Sequence, residues 1–273
     1  NLINYGTVNE GIGLCVYSNM TSRTSRDIVI DSCITNNTKR QGILIQANHT
    51  TVKNCTISNA VLSNQNEMSC SWAGALCAFG YPPQLQFCFD IKFINNYIDS
   101  CWGEGILLIR TDTFKVQNNT VKDCYSQMVY LDNCYNGEIN NNWLFSTGVG
   151  YNRTCFFPSG YSAPAGGIYW AAESNLPVYP ANDRMVENIK IHNNLIYGTS
   201  PAFGWFHHPP NTFLNNSYRN ISIYYNTIYN LTSYESFYLE PFTGSRNLPT
   251  GCFFTNNIIP KGRYNNQIQT YFT

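Results

Sequence analysis

A short pattern returns along the whole chain: apolar, any residue, apolar, two residues, Asn, any residue, apolar. It reads Ile91-Lys92-Phe93-Ile94-Asn95-Asn96-Tyr97-Ile98, then Phe114-Lys115-Val116-Gln117-Asn118-Asn119-Thr120-Val121. Further copies fall at Ile139 to Leu144, Ile189 to Ile196, Ile221 to Ile228 and Phe254 to Ile259. Two early copies, around Ile30 to Thr35 and Val52 to Ile57, carry Cys33 and Cys55 where the second Asn would stand. Asn96, Asn119 and Asn142 are 23 residues apart, and Cys33 and Cys55 are 22 apart. Between anchors lies a second strand-like run, such as Gly105-Ile106-Leu107-Leu108 or Gly167-Ile168-Tyr169-Trp170. Each period is therefore two or three short strands of period-2 alternation, separated by Asn, Gly and Asp turns. No window of helical length keeps a 3.6-residue apolar stripe.

One such unit cannot bury its own apolar side chains, whereas stacked units share a continuous core. A leucine-rich repeat has a similar length but needs a Leu framework, which this chain lacks. Parallel coils stacked in register explain the recurrent Asn, because its amide can bond to the next coil's turn and form a ladder. On Trp102-Gly103-Glu104-Gly105-Ile106, Asn118-Asn119-Thr120-Val121-Lys122-Asp123 and Tyr130-Leu131-Asp132, the sequence resembles the right-handed parallel β-helix, the pectate-lyase-like superfold. Within it, the chain is similar to uncharacterised right-handed β-helix repeat proteins. The expected fold is all-β: a right-handed parallel β-helix solenoid with coils of about 22–23 residues. It forms one domain over residues 1–273, with large loop insertions at about 60–89 and 146–185. The chain starts without an initiator Met or a signal peptide, so a mature product or a piece of a longer chain is expected. The superfold hosts lyases, hydrolases, adhesins and inert scaffolds, so the resemblance implies no single activity.

Composition narrows the function. Lys+Arg and Asp+Glu both number 16 in 273 residues, so formal net charge is zero. That leaves no clustered positive charge for a nucleic-acid backbone and makes a groove for polyanions hard to build. No apolar run approaches the roughly 20 residues of a membrane span. Asn supplies about one residue in seven, above ordinary usage. N-x-[S/T] triplets begin at Asn19, Asn36, Asn48, Asn54, Asn118, Asn152, Asn215, Asn220 and Asn230. With 11 Cys, they point to a secreted or cell-surface glycoprotein carrying N-linked glycans.

Register also bears on the cysteines. Cys33 and Cys55 share one coil position, and Cys101 and Cys124 share another. Neighbouring coils stack at about 4.8 Å, inside the roughly 4.4–6.8 Å Cα window of a disulfide. Each pair is either a disulfide or a buried stack of reduced thiols. Cys88 and Cys134 share a column two coils apart, about 9.6 Å, too far to bridge. Cys70, Cys77 and Cys88 lie in the first insertion, where an internal disulfide is expected to tie down the excursion.

Strong catalytic motifs are missing. There is no zinc-site spacing, no nucleophile elbow and no phosphate loop, so no metal and no cofactor is expected. Neither the acidic cluster and Arg base of a calcium-dependent pectate lyase nor the paired Asp of a polygalacturonase-like hydrolase is evident. Counting from the anchor Asn places Arg110, Asp132 and His207 at one edge, with Glu104, Glu173, His208 and Glu240 as accessory candidates. No N-x-[S/T] triplet falls on that edge. It reads as solvated strand ends, as a docking edge, or as an acid/base or sugar-binding site. Two functions follow. One is a glycosylated scaffold in an extracellular assembly, contacting copies of itself or other extracellular proteins. The other is a polysaccharide lyase, glycoside hydrolase or glycan-binding module using that edge.

Overall fold

The computed structural model describes residues 11–17, 27–64, 73–80, 87–148, 166–172, 186–199, 201–207, 217–229, 236–239, 248–260 and 272. The side chains of Phe206 and His207 also lie outside the description. Among these residues, twenty-three strands form three parallel sheets of eight, eight and seven strands, here called A, B and C. The chain visits A, then B, then C, and repeats, each strand pairing with its counterpart in the next coil. No α-helix occurs among the described residues. This is the parallel β-helix that the repeat implies.

Packing explains why one short period suffices. The sheets face inward on a single core, and the inward columns are mainly apolar from coil to coil, with Thr35 and Thr50 as buried exceptions near the N-terminal end. In sheet C the column runs Ile57, Ile98, Val121, Leu144, Ile196, Ile228. In sheet B it runs Val52, Phe93, Val116, Ile139, Ile191, Ile223. All of these are buried. One column is stepped: the Phe114 ring lies over Gly137, where an added Cβ would sit 2.0 Å from Cζ. Gly137 thus makes room for an aromatic in the coil before it.

The corners use left-handed backbone. At the B-to-C corner Asn54, Asn95, Asn118, Asn141, Asn193 and Asn256 have φ of 54–57°. Asn tolerates this region better than other residues with a side chain, which places the first Asn of each Asn-Asn pair. The second Asn turns inward. Asn119 Oδ1 accepts from Asn96 N (2.9 Å) and Asn96 Nδ2 (3.0 Å). Asn119 Nδ2 donates to Phe93 O (2.8 Å) and Asn142 Oδ1 (3.0 Å). The same bonds link Asn142, Asn194, Asn226 and Asn257. A second, exposed ladder runs along the A-to-B corner, from Asn220 to Asn188 to Asn136 to Asp112. The Asn excess is divided among these corners.

The two expected insertions are not single loops. Strand Gly74–Phe79 crosses the first and Ile168–Ala172 the second, and both join sheet A. The Gly-Ala-Leu-Cys-Ala-Phe run of the first is almost wholly buried, so its two-faced burial hides the alternation that marks the other strands.

Asn119→Ala is expected to cost about 2–4 kcal/mol, because it removes one ladder rung and strands the buried amides on either side. Asn118→Ala, one residue earlier and exposed, should cost about 1 kcal/mol through its left-handed φ alone. Urea unfolding of the two variants checks the ratio.

Candidate functional site

The edge expected from the sequence forms only in part. Ile109 is the register partner of Asp132, and Asp132 of Ala171. Arg110 stands one residue further on, in the column that continues through Asn133 and Ala172 to His207. Arg110 and Asp132 are immediate neighbours, with Arg110 N donating to Asp132 O at 2.8 Å. His207 lies three coils from Arg110, roughly 14 Å along the axis, so these three residues do not make one compact acid/base site.

Burial corrects the picture further. Arg110 is fully buried and Asp132 is 6 % exposed. Arg110 adopts a left-handed φ of 49°, and its guanidinium carbon lies 5.2 Å from the Phe87 ring centroid. A long side chain in that backbone region is held there by its surroundings. The expected solvated strand ends are therefore, at these two residues, interior polar groups. Glu104 begins the strand that ends at Ile109, roughly 17 Å away. It is also buried and is the register partner of Gly74. Glu173, His208, Glu240 and the His207 side chain lie outside the described residues.

Most described charge sits elsewhere, on the outer face of sheet B. Asp31 meets Lys53 at 3.1 Å, and Asp90 meets Lys92 at 2.9 Å and His49 at 3.2 Å. Glu138 meets Lys115 at 3.4 Å and His192 at 2.8 Å, while Arg219 bonds Glu187. These residues hold outward columns on successive coils, which the anchor count did not follow. His192 Nδ1 accepts from Asn193 at 3.1 Å, which leaves Nε2–H to donate to Glu138. Its ring stacks on Tyr224, 4.8 Å between centroids. Burial opposes ionisation of Glu138, but the His192 hydrogen bond and Lys115 outweigh it and hold its pKa below the usual value. Among the described residues no group of three or more His, Cys, Asp and Glu is placed to hold a metal.

Sheets A and C differ in what they show to solvent. The outward column of sheet A runs Leu44, Cys77, Leu107, Tyr130, Tyr169, and all are buried. The Tyr169 ring lies flat over Gly204 of the next coil, filling the space a side chain there would take. Sheet C instead exposes an apolar strip. Trp143 is 51 % exposed, Tyr229 64 % and Ile258 66 %, with Leu195 beside them. Trp143 packs on Phe145 and Tyr197 stacks on Tyr229. The period-2 pattern carried this signal, since these residues occupy the outward phase of the strands ending the Asn motif.

Nine cysteines lie among the described residues, and all are free thiols. Cys101 and Cys124 are register partners, as the spacing implies. Contact with the Cys101 thiol and burial push Cys124 well above its ordinary pKa. Burial raises Cys88 to about 12. The described thiols of the expected pairs are thus reduced here, and Cys70 lies outside the described residues. Of the glycan acceptors, Asn36, Asn54, Asn118 and Asn220 are exposed at corners and strand ends of sheets B and C, and Asn48 is half-buried. Asn19, Asn152, Asn215 and Asn230 fall outside the description.

A family model described as "Right handed beta helix region" matches residues 7–179. The chain belongs to the right-handed β-helix family. Among solved structures it is similar to the Dettilon tailspike protein (gp208), at 15% identity and a TM-score of 0.45, over 85% of this chain. It spans 43% of that tailspike's length. A comparison with curated proteins finds no match.

The lowered Glu138 pKa has a pH signature. A folded-state pKa below the unfolded value stabilises the protein above roughly pH 4.3, and this is lost as pH falls through the folded value. Glu138→Gln should therefore narrow the gap between stability at pH 6 and at pH 3, measured by thermal unfolding across that range. An unchanged profile would show that the His192–Glu138 contact carries no linkage.

Proposed function

We propose that this chain is a secreted, N-glycosylated β-helix scaffold within an extracellular or cell-surface assembly. The observation that carries this reading is the fate of the acid/base candidates. Arg110 and Asp132 are both buried, which suits polar groups packed within the fold better than residues presented to a polymer chain. The surface that remains is divided in a way that suits a structural element. Exposed acceptor Asn residues mark the corners of sheets B and C, and hydrophilic glycans there would keep those faces from aggregating. The apolar strip of Trp143, Leu195, Tyr229 and Ile258 is a contact face of the kind that marks interaction surfaces. Zero net charge fits close association of chains without self-repulsion.

A carbohydrate-active reading draws on sheet A. The segments outside the described residues flank its strands in the chain, and Tyr130, Tyr169 and Tyr238 align on its outer side, Tyr238 exposed and the other two covered. Such aromatics serve sugar stacking as well as packing.

Expression through a eukaryotic secretory pathway separates the two. The scaffold reading expects glycan removal to lower the mass, with occupancy mapped to Asn36, Asn54, Asn118 and Asn220. It also expects no depolymerisation of a panel of neutral and acidic polysaccharides. Turnover of any polysaccharide that Asp132→Asn abolishes, in a variant with wild-type circular dichroism, would overturn the scaffold and establish an enzyme.

A further inference from the structure

The inner asparagine ladder runs from Asn257 up to Asn96 and ends there. Asn96 Oδ1 accepts the Cys55 N–H at 3.0 Å. Cys55 and Cys33 occupy the next two ladder positions. Their thiols copy the carboxamide's donor bonds: Cys55 Sγ–H points to Lys53 O (3.2 Å), as Asn226 Nδ2 points to Tyr224 O (3.2 Å). Cys55 Sγ also reaches Ile30 O in the preceding coil at 3.8 Å, as Asn96 Nδ2 reaches Val52 O at 3.0 Å. A thiol is a weak acceptor, however, so the strong rung in which a side-chain oxygen takes the previous coil's N–H is replaced here by the weaker backbone hydrogen bond from Cys33 to the Cys55 sulfur.

We propose that Cys33 and Cys55 form a redox-dependent clasp, closing into a disulfide in an oxidising medium and reinforcing the weak ladder rung with a covalent bond. The structure is the dithiol form. Placement supports closure. Ile34 and Thr56 are register partners, and Thr56 N donates to Cys33 O at 2.9 Å, so the two cysteines face each other on adjacent coils. Parallel neighbours sit about 4.8 Å apart, within the disulfide window. The Cys55 side chain already extends toward the Cys33 coil. Access differs from that of the other stacked pair: Cys33 is half-exposed, whereas Cys101 and Cys124 are both buried. An oxidant reaches Cys33 without unfolding.

The chemistry is ordinary exchange with a small disulfide such as oxidised glutathione. The Cys33 thiolate attacks one glutathione sulfur, forms a mixed disulfide and releases one glutathione thiolate. The Cys55 thiolate then attacks Cys33 Sγ and releases the second. The two protons lost by the cysteines go to the two glutathiones, and the glutathione disulfide takes the two electrons. This needs only a disulfide oxidant, so it stands apart from the scaffold reading.

Folded, reduced protein is incubated with oxidised glutathione, alkylated, digested and analysed by mass. The expected product is a cross-linked peptide pair joining Cys33 to Cys55 and lost on reduction, with Cys101 and Cys124 alkylated only after unfolding. Closing this loop should slow proteolysis of the first two coils by up to about 100-fold relative to Cys33→Ser. Cys55→Asn, which extends the Asn ladder by one rung, should give the reduced protein higher protease resistance and remove its redox dependence. Recovery of Cys33 and Cys55 as free thiols or as separate glutathione adducts would overturn the clasp. So would a dominant link from Cys33 to any other cysteine.

Discussion

A carboxamide is both donor and acceptor, and it can therefore bond to a copy of itself indefinitely along an axis. The inner Asn column uses that property. Each rung closes the B-to-C corner of one coil against the corner of the next, and also ties up a backbone N–H that the corner would otherwise bury unpaired. Serine or threonine could accept that bond but could not also donate two. The rest of the fold depends on this, because a corner that kept its place only by apolar contact could slip in register. Register is what puts Ile over Ile and Val over Phe down every inward column.

The repeat and its Asn signature made the fold legible, since spacing alone gives the coil and the coil gives the columns. Asn96, Asn119 and Asn142 lie 23 residues apart and do stack on one another. The candidate site was far less legible. Counting from the anchor Asn paired Ile109 with Asp132 correctly but put His207 in the Asp132 column, where Phe206 stands, because the spacing across the long connections is not constant. Burial was also out of reach, since charge in a sequence does not say whether a neighbouring segment covers it. The strand at Gly74–Phe79 was hidden for a related reason: a strand buried on both faces carries no period-2 pattern. The outward columns of sheet B could have been read, for Lys92, Lys115, Glu138 and Lys190 follow the same spacing as the core.

The sheets divide the work of the surface. Sheet B meets water with paired charges, each partner drawn from the same or the adjacent coils. Sheet C meets it with Ile34, Thr56 and Ser58 near the N-terminal end, with the Asp99–Lys122 ion pair in the middle and with aromatics near the other end. Sheet A buries its central column from Leu44 to Tyr169 and meets water there only at the ends, at Cys15 and Tyr238. A solenoid makes this natural, because every outward position is a column, and a column can change character from coil to coil without disturbing the interior.

That independence extends to chain length. Between Asn142 and Asn194 the sequence runs 52 residues, more than twice the basic period, yet the Asn142–Asn194 bond is 2.9 Å against 3.0 Å for Asn96–Asn119. The extra residues enter and leave beside sheet A, away from the corner that sets register. Loop closure adds little cost as a connection lengthens, about 0.6 kcal/mol per doubling, so the ladder tolerates additions of this size. Whatever specific recognition the protein performs is therefore free to differ among β-helices that share the same inner columns. The interior reports the fold, and function has to be sought in the outward columns and in the segments that sheet A carries.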